Sequence, residues 1–486
     1  MGLNVNSLRF LLPGTGLGLS FDRVSTIGRQ SVVLGRRDIG RLSRFFLACG
    51  AATCSRVCRG FAMPRLTVPV EAIDRLDRRM SSEKRLEQVA LTAILAFALA
   101  VRVVSWWVHG FQGHEEGEFE AMGRLIATGD WQGYFAYNRA HQPVNAVLFV
   151  PRSLLNLDLA AYVLGLHAVL VCGTVYFVFR TSRTLFGPAC GLISAFIIAA
   201  DLMLAFWFPW TSGDIPFHFF VALFACSFVA FWDRPRRSAL LAFALTGAAC
   251  ILTRPEGLFI TAAATIILVF RSLASRLSAA KSLAVIAAGF VLCLALAFVL
   301  LSYNRPAREA FLSNMHVGYS LYVSTRMSTN SPQEQPQVYN DLGAVIEKAT
   351  SRPEFVSPGY ALSMEGLKFI REQPFRYAGM YVLRFASIVV PSAFSPWWSA
   401  RNRLYSFSVS VLLFGGAALA WYFAGGQRLQ TAGLLMMAIA IAFMISLFQR
   451  ELDYRVPLSM HVLLSCSAPW GWLQLWRAGA GQLSRG

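Results

Sequence analysis

Apolar segments of membrane-crossing length, repeated along most of the chain, constrain this sequence more than any other feature. Residues 89–108 carry one charge, Arg102. At about 1.5 Å per residue, a helix of that length covers the roughly 30 Å of a bilayer's hydrocarbon. Further apolar runs follow at 155–179, 188–208, 215–232, 238–253, 256–271, 281–302, 377–394, 405–425, 430–449 and 456–475. The expectation is an all-α polytopic membrane protein of about eleven transmembrane helices, several short and paired around a break. With 56% hydrophobic and 14% charged residues and a mean hydropathy of +0.50, the chain does not have the composition of a soluble domain. The longest polar stretch, 303–376, has too few apolar residues to fold alone, although 361–372 can form a helix. It is expected to cap a cavity and to read the acceptor.

The net charge of +18 would suit nucleic acid, but its distribution excludes that partner. Residues 1–80 hold thirteen Arg against five acids, a pattern resembling a transit peptide or an upstream extension before a start at Met63 or Met80. That segment is set apart, and the integral membrane domain is placed at 88–475. The other basic residues cluster in short loops: Arg180 and Arg183; Arg234, Arg236 and Arg237; Arg271, Arg276 and Lys281. The positive-inside rule makes these cytoplasmic. Loops 110–145 and 303–376, the turn Trp210–Asp214 and the break Thr253-Arg254-Pro255-Glu256-Gly257 then share the opposite face, periplasmic or lumenal. Nine Cys without CxxC spacing indicate neither a disulfide framework nor a zinc site.

On that face lies His114-Glu115-Glu116-Gly117-Glu118-Phe119, a few residues past the first apolar run. A carboxylate desolvated on one side by a membrane is suited to accept a proton near neutral pH. Residues 118–127 can form an amphipathic helix with Phe119, Met122, Leu125 and Ile126 on its apolar face, stopped by Gly129 and lying on the membrane surface.

These residues carry a resemblance. Glu115-Glu116-Gly117, a helix ending in Ala127-Thr128-Gly129-Asp130-Trp131, and then His141-Gln142-Pro143 resemble the first outer loop of the GT-C superfold of polyprenyl-phosphate-sugar-dependent glycosyltransferases. That superfold includes protein mannosyltransferases and lipid A aminoarabinose transferases; its loop reads Asp-Glu-Gly, a surface helix, Gly-Asp-Trp or similar, and His-Pro-Pro. Similar order continues with Leu185-Phe186-Gly187, Asp214-Ile215-Pro216, Leu252-Thr253-Arg254-Pro255-Glu256-Gly257 and Asp453-Tyr454-Arg455-Val456-Pro457-Leu458. The resemblance covers 88–475.

It implies a GT-C-like fold and inverting transfer of a sugar from a polyprenyl-phosphate donor to an acceptor hydroxyl on a glycan, lipid or protein. Such a transfer needs a base for the acceptor proton, worth about 10²–10⁴-fold, and cationic stabilisation of the leaving phosphate, which needs no general acid. Glu115 matches the family's Asp and is the first candidate base; Glu116 is the second, and Glu118 serves the helix N-terminus. Glu in place of Asp moves the carboxylate by about 1 Å, so a catalytically inactive member is an alternative. Tyr454 and Arg455 are candidates for the donor, Arg455 through its bidentate fork on phosphate. Positive-inside anchoring is the other reading of Arg455, and a strict alternate count of spans puts 450–455 inside.

Four further residues complete the candidate set beside Arg254. His114 and His141 orient the acceptor, bind a metal or are simply hydrogen-bonded structure. Asp214 is the N-cap of the helix starting at Ile215-Pro216, a second carboxylate, or both. Arg254 and Glu256 contact substrate or form a structural pair, Arg254 with Glu256 or with Asp214. No cofactor or metal site is assigned, though a divalent cation bridging Asp214 and Glu115 is an arrangement the sequence allows. A secondary transporter and a non-catalytic scaffold are the competing classes; the polar elements gather on one face and the halves do not match, unlike a transporter. A bacterial inner membrane is the expected location, with endoplasmic reticulum as the alternative.

Overall fold

The computed structural model describes residues 70–111, 116–135, 142–209, 213–254, 256–274, 315–326, 341–347, 358–389, 400–448 and 458–483. The chain divides into two compact units, Met1–Arg78 and Arg79–Gly486. Of the first, only 70–78 are described, as helix. Every regular element among the described residues is helical: α1 Val70–His109, α2 Glu116–Thr128, α3 Trp131–Phe135, α4 Pro143–Leu155, α5 Leu159–Phe186, α6 Pro188–Ala200, α7 Leu202–Phe206, α8 Asp214–Asp233, α9 Arg237–Thr253, α10 Gly257–Ala274, α11 Met315–Arg326, α12 Pro358–Glu372, α13 Pro374–Val389, α14 Ala400–Phe423, α15 Arg428–Phe448, α16 Leu458–Ser465 and α17 Ala468–Leu483.

Three of these are long and apolar enough to cross a membrane, Glu83–His109 within α1, Leu159–Phe186 and Asp214–Asp233. The segments Phe407–Phe423 and Gly425–Phe443, bent by 114°, make a fourth if taken as one span. The expected count of eleven is not confirmed: the run 281–302 lies outside the described residues, and several of the other apolar runs are divided. The run expected to start at 155 begins in a turn: Asn156 takes a left-handed conformation (φ 47), and the Asp158 carboxylate caps α5 by accepting from Ala161 N–H at 2.9 Å. The run 188–208 breaks at Asp201, which ends α6 and caps α7. Pro143–Leu155, assigned in sequence to a polar loop and its border, is an apolar helix.

Helix α8 forms the centre. It is apolar around its whole circumference and buried on most of it, as expected for a helix enclosed by others. Phe224 packs on Phe243 of α9 with ring centroids 5.0 Å apart. One end of the bundle collects basic-loop contacts: Arg183 pairs with Glu87 at 2.5 Å, Gln430 donates to Asp233 at 2.8 Å, and Arg271 lies 4.4 Å from the Trp232 ring centre. The other end carries Trp106 against Phe208, together with α2 and α4.

At that second end α2 buries Phe119 and Met122 against Ala146 and Phe149, and Glu120 pairs with Arg152 of α4. The apolar face expected to rest on the membrane is thus covered by protein, because α4, a helix where the sequence suggests a loop, supplies a matching surface. Within 303–376, Tyr322, Val323, Leu342 and Leu362 form a small apolar cluster of their own.

The final helices change the expected direction of the chain. The run 377–394, counted as a span, is represented by α13, whose buried Arg384 donates to the Ser324 carbonyl of α11. Residues 390–394 of that run lie outside the described residues. Tyr405, early in α14, accepts from Leu202 N–H, and α15 starts beside Asp233 and packs along α10, with Gly433 close to Phe228 and Ile267. The C-terminal end of α15 therefore points toward the Glu256 end of α10, opposite to the direction given by the strict alternate count.

Candidate functional site

Two helix starts and one helix end meet at the second end of the bundle. Gly213 precedes α8, and Asp214 occupies the first turn, where an anion is favoured by the unpaired N–H groups. Helix α9 stops at Thr253, and Arg254 is extended (φ −152, ψ 144), as a residue before proline prefers. Glu256 precedes α10 and its carbonyl accepts from Phe259 N–H at 3.1 Å. The Arg254 guanidinium spans both acids: Nη1 donates to Asp214 Oδ1, while Nε and Nη2 reach Glu256 Oε2 and Oε1 at 3.4 Å each. Asp214 and Glu256 are 1% and 5% exposed. Charges so enclosed persist only when paired, and Arg serves because its fork meets two acceptors at once.

The start of α4 is tied to the same point. Asn145 Nδ2 donates to Gln142 Oε1 at 3.0 Å and to the Thr253 carbonyl at 3.2 Å. The close fit explains Gly213, since a Cβ there would lie 2.5 Å from Asn145 Nδ2. A small cavity lined by Phe119, Asn145, Phe149, Leu166, His167, Gly213 and Pro216 joins the α2–α4 packing to this cluster. Tyr134, buried with α2 in the same apolar cluster, has its phenol pushed up by desolvation.

Three expected site residues, Asp214, Arg254 and Glu256, are thus brought together, and both alternative partners of Arg254 are engaged. Asp214 differs from the expected N-cap: Gly213 holds that position, and the carboxylate turns to Arg254. Glu116 opens α2, but its side chain lies outside the described residues, as do His114, Glu115, His141, Tyr454 and Arg455. Among the described residues no three His, Cys, Asp or Glu side chains converge as metal ligands. The divalent cation that the sequence allows between Asp214 and Glu115 involves Glu115, which lies outside the described residues. Sequence reasoning misses Gln142 and Asn145, although both neighbour His141-Gln142-Pro143. It also misses Asp201, where a single acid inside an apolar run is the available signal.

Residues 156–303 match the family model for dolichyl-phosphate-mannose-protein mannosyltransferases, a segment that holds Asp214, Arg254 and Glu256. No curated protein matches the chain in sequence. Among solved structures, the archaeal oligosaccharyltransferase AglB from Archaeoglobus fulgidus, in complex with an inhibitory peptide and a dolichol-phosphate, is similar at 15% identity and a TM-score of 0.47, over 82% of this chain and 52% of that one. The apo form of the A. fulgidus oligosaccharyltransferase gives 15% identity and a TM-score of 0.45 over the same shares. The chain spans about half the length of these proteins. Its resemblance to the polyprenyl-phosphate-sugar-dependent glycosyltransferases of the GT-C superfold is matched independently by the mannosyltransferase family model over residues 156–303.

Proposed function

We propose that the chain is an integral membrane glycosyltransferase that moves a sugar, with inversion, from a polyprenyl-phosphate donor to an acceptor hydroxyl on a glycan, lipid or protein. Its reaction face is the non-cytoplasmic one, at the end of the bundle where Asp214, Arg254 and Glu256 meet. The observation that carries this reading is that buried ion cluster, set inside the segment that matches the mannosyltransferase family.

In the proposed reaction Glu115, with Glu116 as second candidate, removes the proton from the acceptor hydroxyl. That oxygen forms a bond to the anomeric carbon as the bond from this carbon to the phosphate oxygen breaks, and polyprenyl phosphate leaves with the electron pair. Arg254 is already held by two carboxylates, Asp214 and Glu256, so the cluster is a poor seat for a phosphate. Carboxylates suit sugar hydroxyls, as hydrogen-bond acceptors, better than they suit a phosphate. The phosphate then needs a further cation, and Arg455 is the candidate.

The test is lipid-linked sugar accumulation in a deletion strain, complemented by wild type or by Glu115→Gln. Wild type should clear the accumulated lipid, and the variant should turn over at least about 10²-fold more slowly. Absence of any accumulating lipid-linked sugar would count against a glycosyltransferase, and near-normal turnover of Glu115→Gln with loss in Glu116→Gln would move the base by one residue.

A further inference from the structure

Helix α13 turns its polar side inward and its apolar side outward. Tyr377, Met380 and Arg384 share one face and are buried, and Arg384 lies 5.4 Å from the Tyr377 ring centre and donates to the Ser324 carbonyl. Phe375, Ala378, Gly379, Val382 and Leu383 form the exposed stripe, with Phe375 91% and Val382 61% exposed. A helix facing water has the opposite arrangement.

Helix α12 leads into α13 through a tight elbow. Gln373 N–H donates to the Phe369 carbonyl at 2.8 Å, Tyr377 N–H donates to the Gln373 carbonyl at 3.0 Å, and Pro374, which has no N–H to leave unpaired, opens α13. The exposed side of α12 runs Tyr360, Met364, Leu367, Lys368 and Arg371, apolar at first and basic at the elbow. Arg376 is held there too: its guanidinium lies 5.7 Å from the Phe369 ring centre and donates to Gln373 Oε1 at 3.1 Å. Among the exposed charges of the two helices, Lys368, Arg371 and Arg376 stand against Glu372.

The neighbours of this surface identify its occupant. Tyr381 packs on Phe443 of α15 with ring centres 5.6 Å apart, and Phe443 is itself 44% exposed. It belongs to the bent apolar pair Phe407–Phe423 and Gly425–Phe443, which is apolar enough to cross a membrane. The exposed stripe of α13 therefore continues a lipid-facing surface. Apolar side chains beside a cationic rim suit the boundary of a leaflet, where the former enter the acyl chains while Lys and Arg reach the phosphates. A second copy of the chain, docked face to face, would instead bring two cationic rims together. We propose that the α12–α13 elbow is a phospholipid-binding surface, with Leu367 and Phe375 in the acyl region and Lys368, Arg371 and Arg376 on the phosphates of anionic lipids.

The test places p-benzoylphenylalanine at position 375 of the full chain, irradiates membranes of the expressing cells and identifies the adducts by mass spectrometry. Phospholipid adducts are expected; capture of another protein, of a second copy of the chain, or of nothing overturns the proposal. In vesicles of equal parts phosphatidylglycerol and phosphatidylcholine, the adducts should favour the anionic lipid at least about threefold. Lys368→Gln, Arg371→Gln and Arg376→Gln together should bring that ratio to within about 1.5-fold of unity, with an unfolding temperature that shows the variant folded. Equal labelling of the two lipids by the wild-type surface, or undiminished preference in the folded triple variant, overturns the proposal. Should the triple variant not fold, Lys368→Gln with Arg371→Gln leaves Arg376 on Phe369; the preference should fall by about half or more, and an unchanged ratio overturns the proposal.

Discussion

Two breaks interrupt apolar helices near the same end of the bundle, and they handle charge in opposite ways. At Asp201 the charges face the backbone: Arg102 meets the carbonyls that α6 leaves, and Asp201 meets the N–H groups that α7 leaves. At Thr253–Gly257 the charges face one another, two carboxylates on one guanidinium. The first arrangement satisfies helix ends at membrane depth, where a lost backbone partner costs several kcal/mol. The second is surplus to backbone needs. In the proposed reaction this second cluster is where sugar hydroxyls would bind.

The comparison breaks most readily at Arg254. Arg254→Met leaves two buried carboxylates without their shared cation, and loss of one partner from a buried pair costs about 3–5 kcal/mol. Thermal unfolding in detergent should show a large drop, with most of it recovered in the triple variant Asp214→Asn, Arg254→Met, Glu256→Gln. If the triple variant also keeps turnover, the cluster is structural and the contrast between the breaks dissolves.

Arg102→Met should cost less, about 1.5–3 kcal/mol, the range for hydrogen bonds to a charged group. Two carbonyls lose their donor, while Asp201 keeps its caps and His461. A loss equal to that of Arg254→Met would mean that Arg102 acts chiefly as the counter-charge of Asp201. Gly257→Ala probes the second break by shape alone. A Cβ there would lie 2.3 Å from the backbone carbon of Cys250, so α9 and α10 must separate, at about 1–3 kcal/mol. Turnover should fall along with unfolding temperature, because the displaced helices carry Arg254 and Glu256.

The two breaks also differ in how readily they are seen in the sequence. Thr253-Arg254-Pro255-Glu256-Gly257 announces itself by proline, glycine and paired charge, and the meeting of Arg254 with Asp214 is one of the two pairings it suggests. Asp201 stands alone in an apolar run, and its partners, Arg102 and His461, lie 99 and 260 residues away; no local pattern joins them. The all-helical membrane character is legible from run lengths. The number of crossings is not, since hydropathy does not locate a turn such as Asn156–Asp158 or the break at Asp201. The helix α2 is legible by period, but its covering partner α4 is hidden in a segment that opens on Pro143, holds Pro151 inside and carries Asn145 in its first turn.

The smallest expected effect concerns Arg455, whose side is in dispute between motif order and span count. Arg254 is already engaged by two acids, so a donor phosphate needs another cation. The direction of α15, away from Asp233 and along α10, brings the chain toward the Glu256 end before residues 449–457, which themselves lie outside the described residues. Lys offers phosphate a point charge without the planar fork, whereas a loop anchored by positive charge accepts either cation. Arg455→Lys should therefore weaken binding of a polyprenyl-phosphate sugar about tenfold, ~1.4 kcal/mol, with expression and unfolding temperature unchanged. Equilibrium binding in nanodiscs measures this directly. Wild-type affinity would remove Arg455 from the site, and the search for the phosphate ligand would return to Arg254, whose two carboxylates would then have to open on binding.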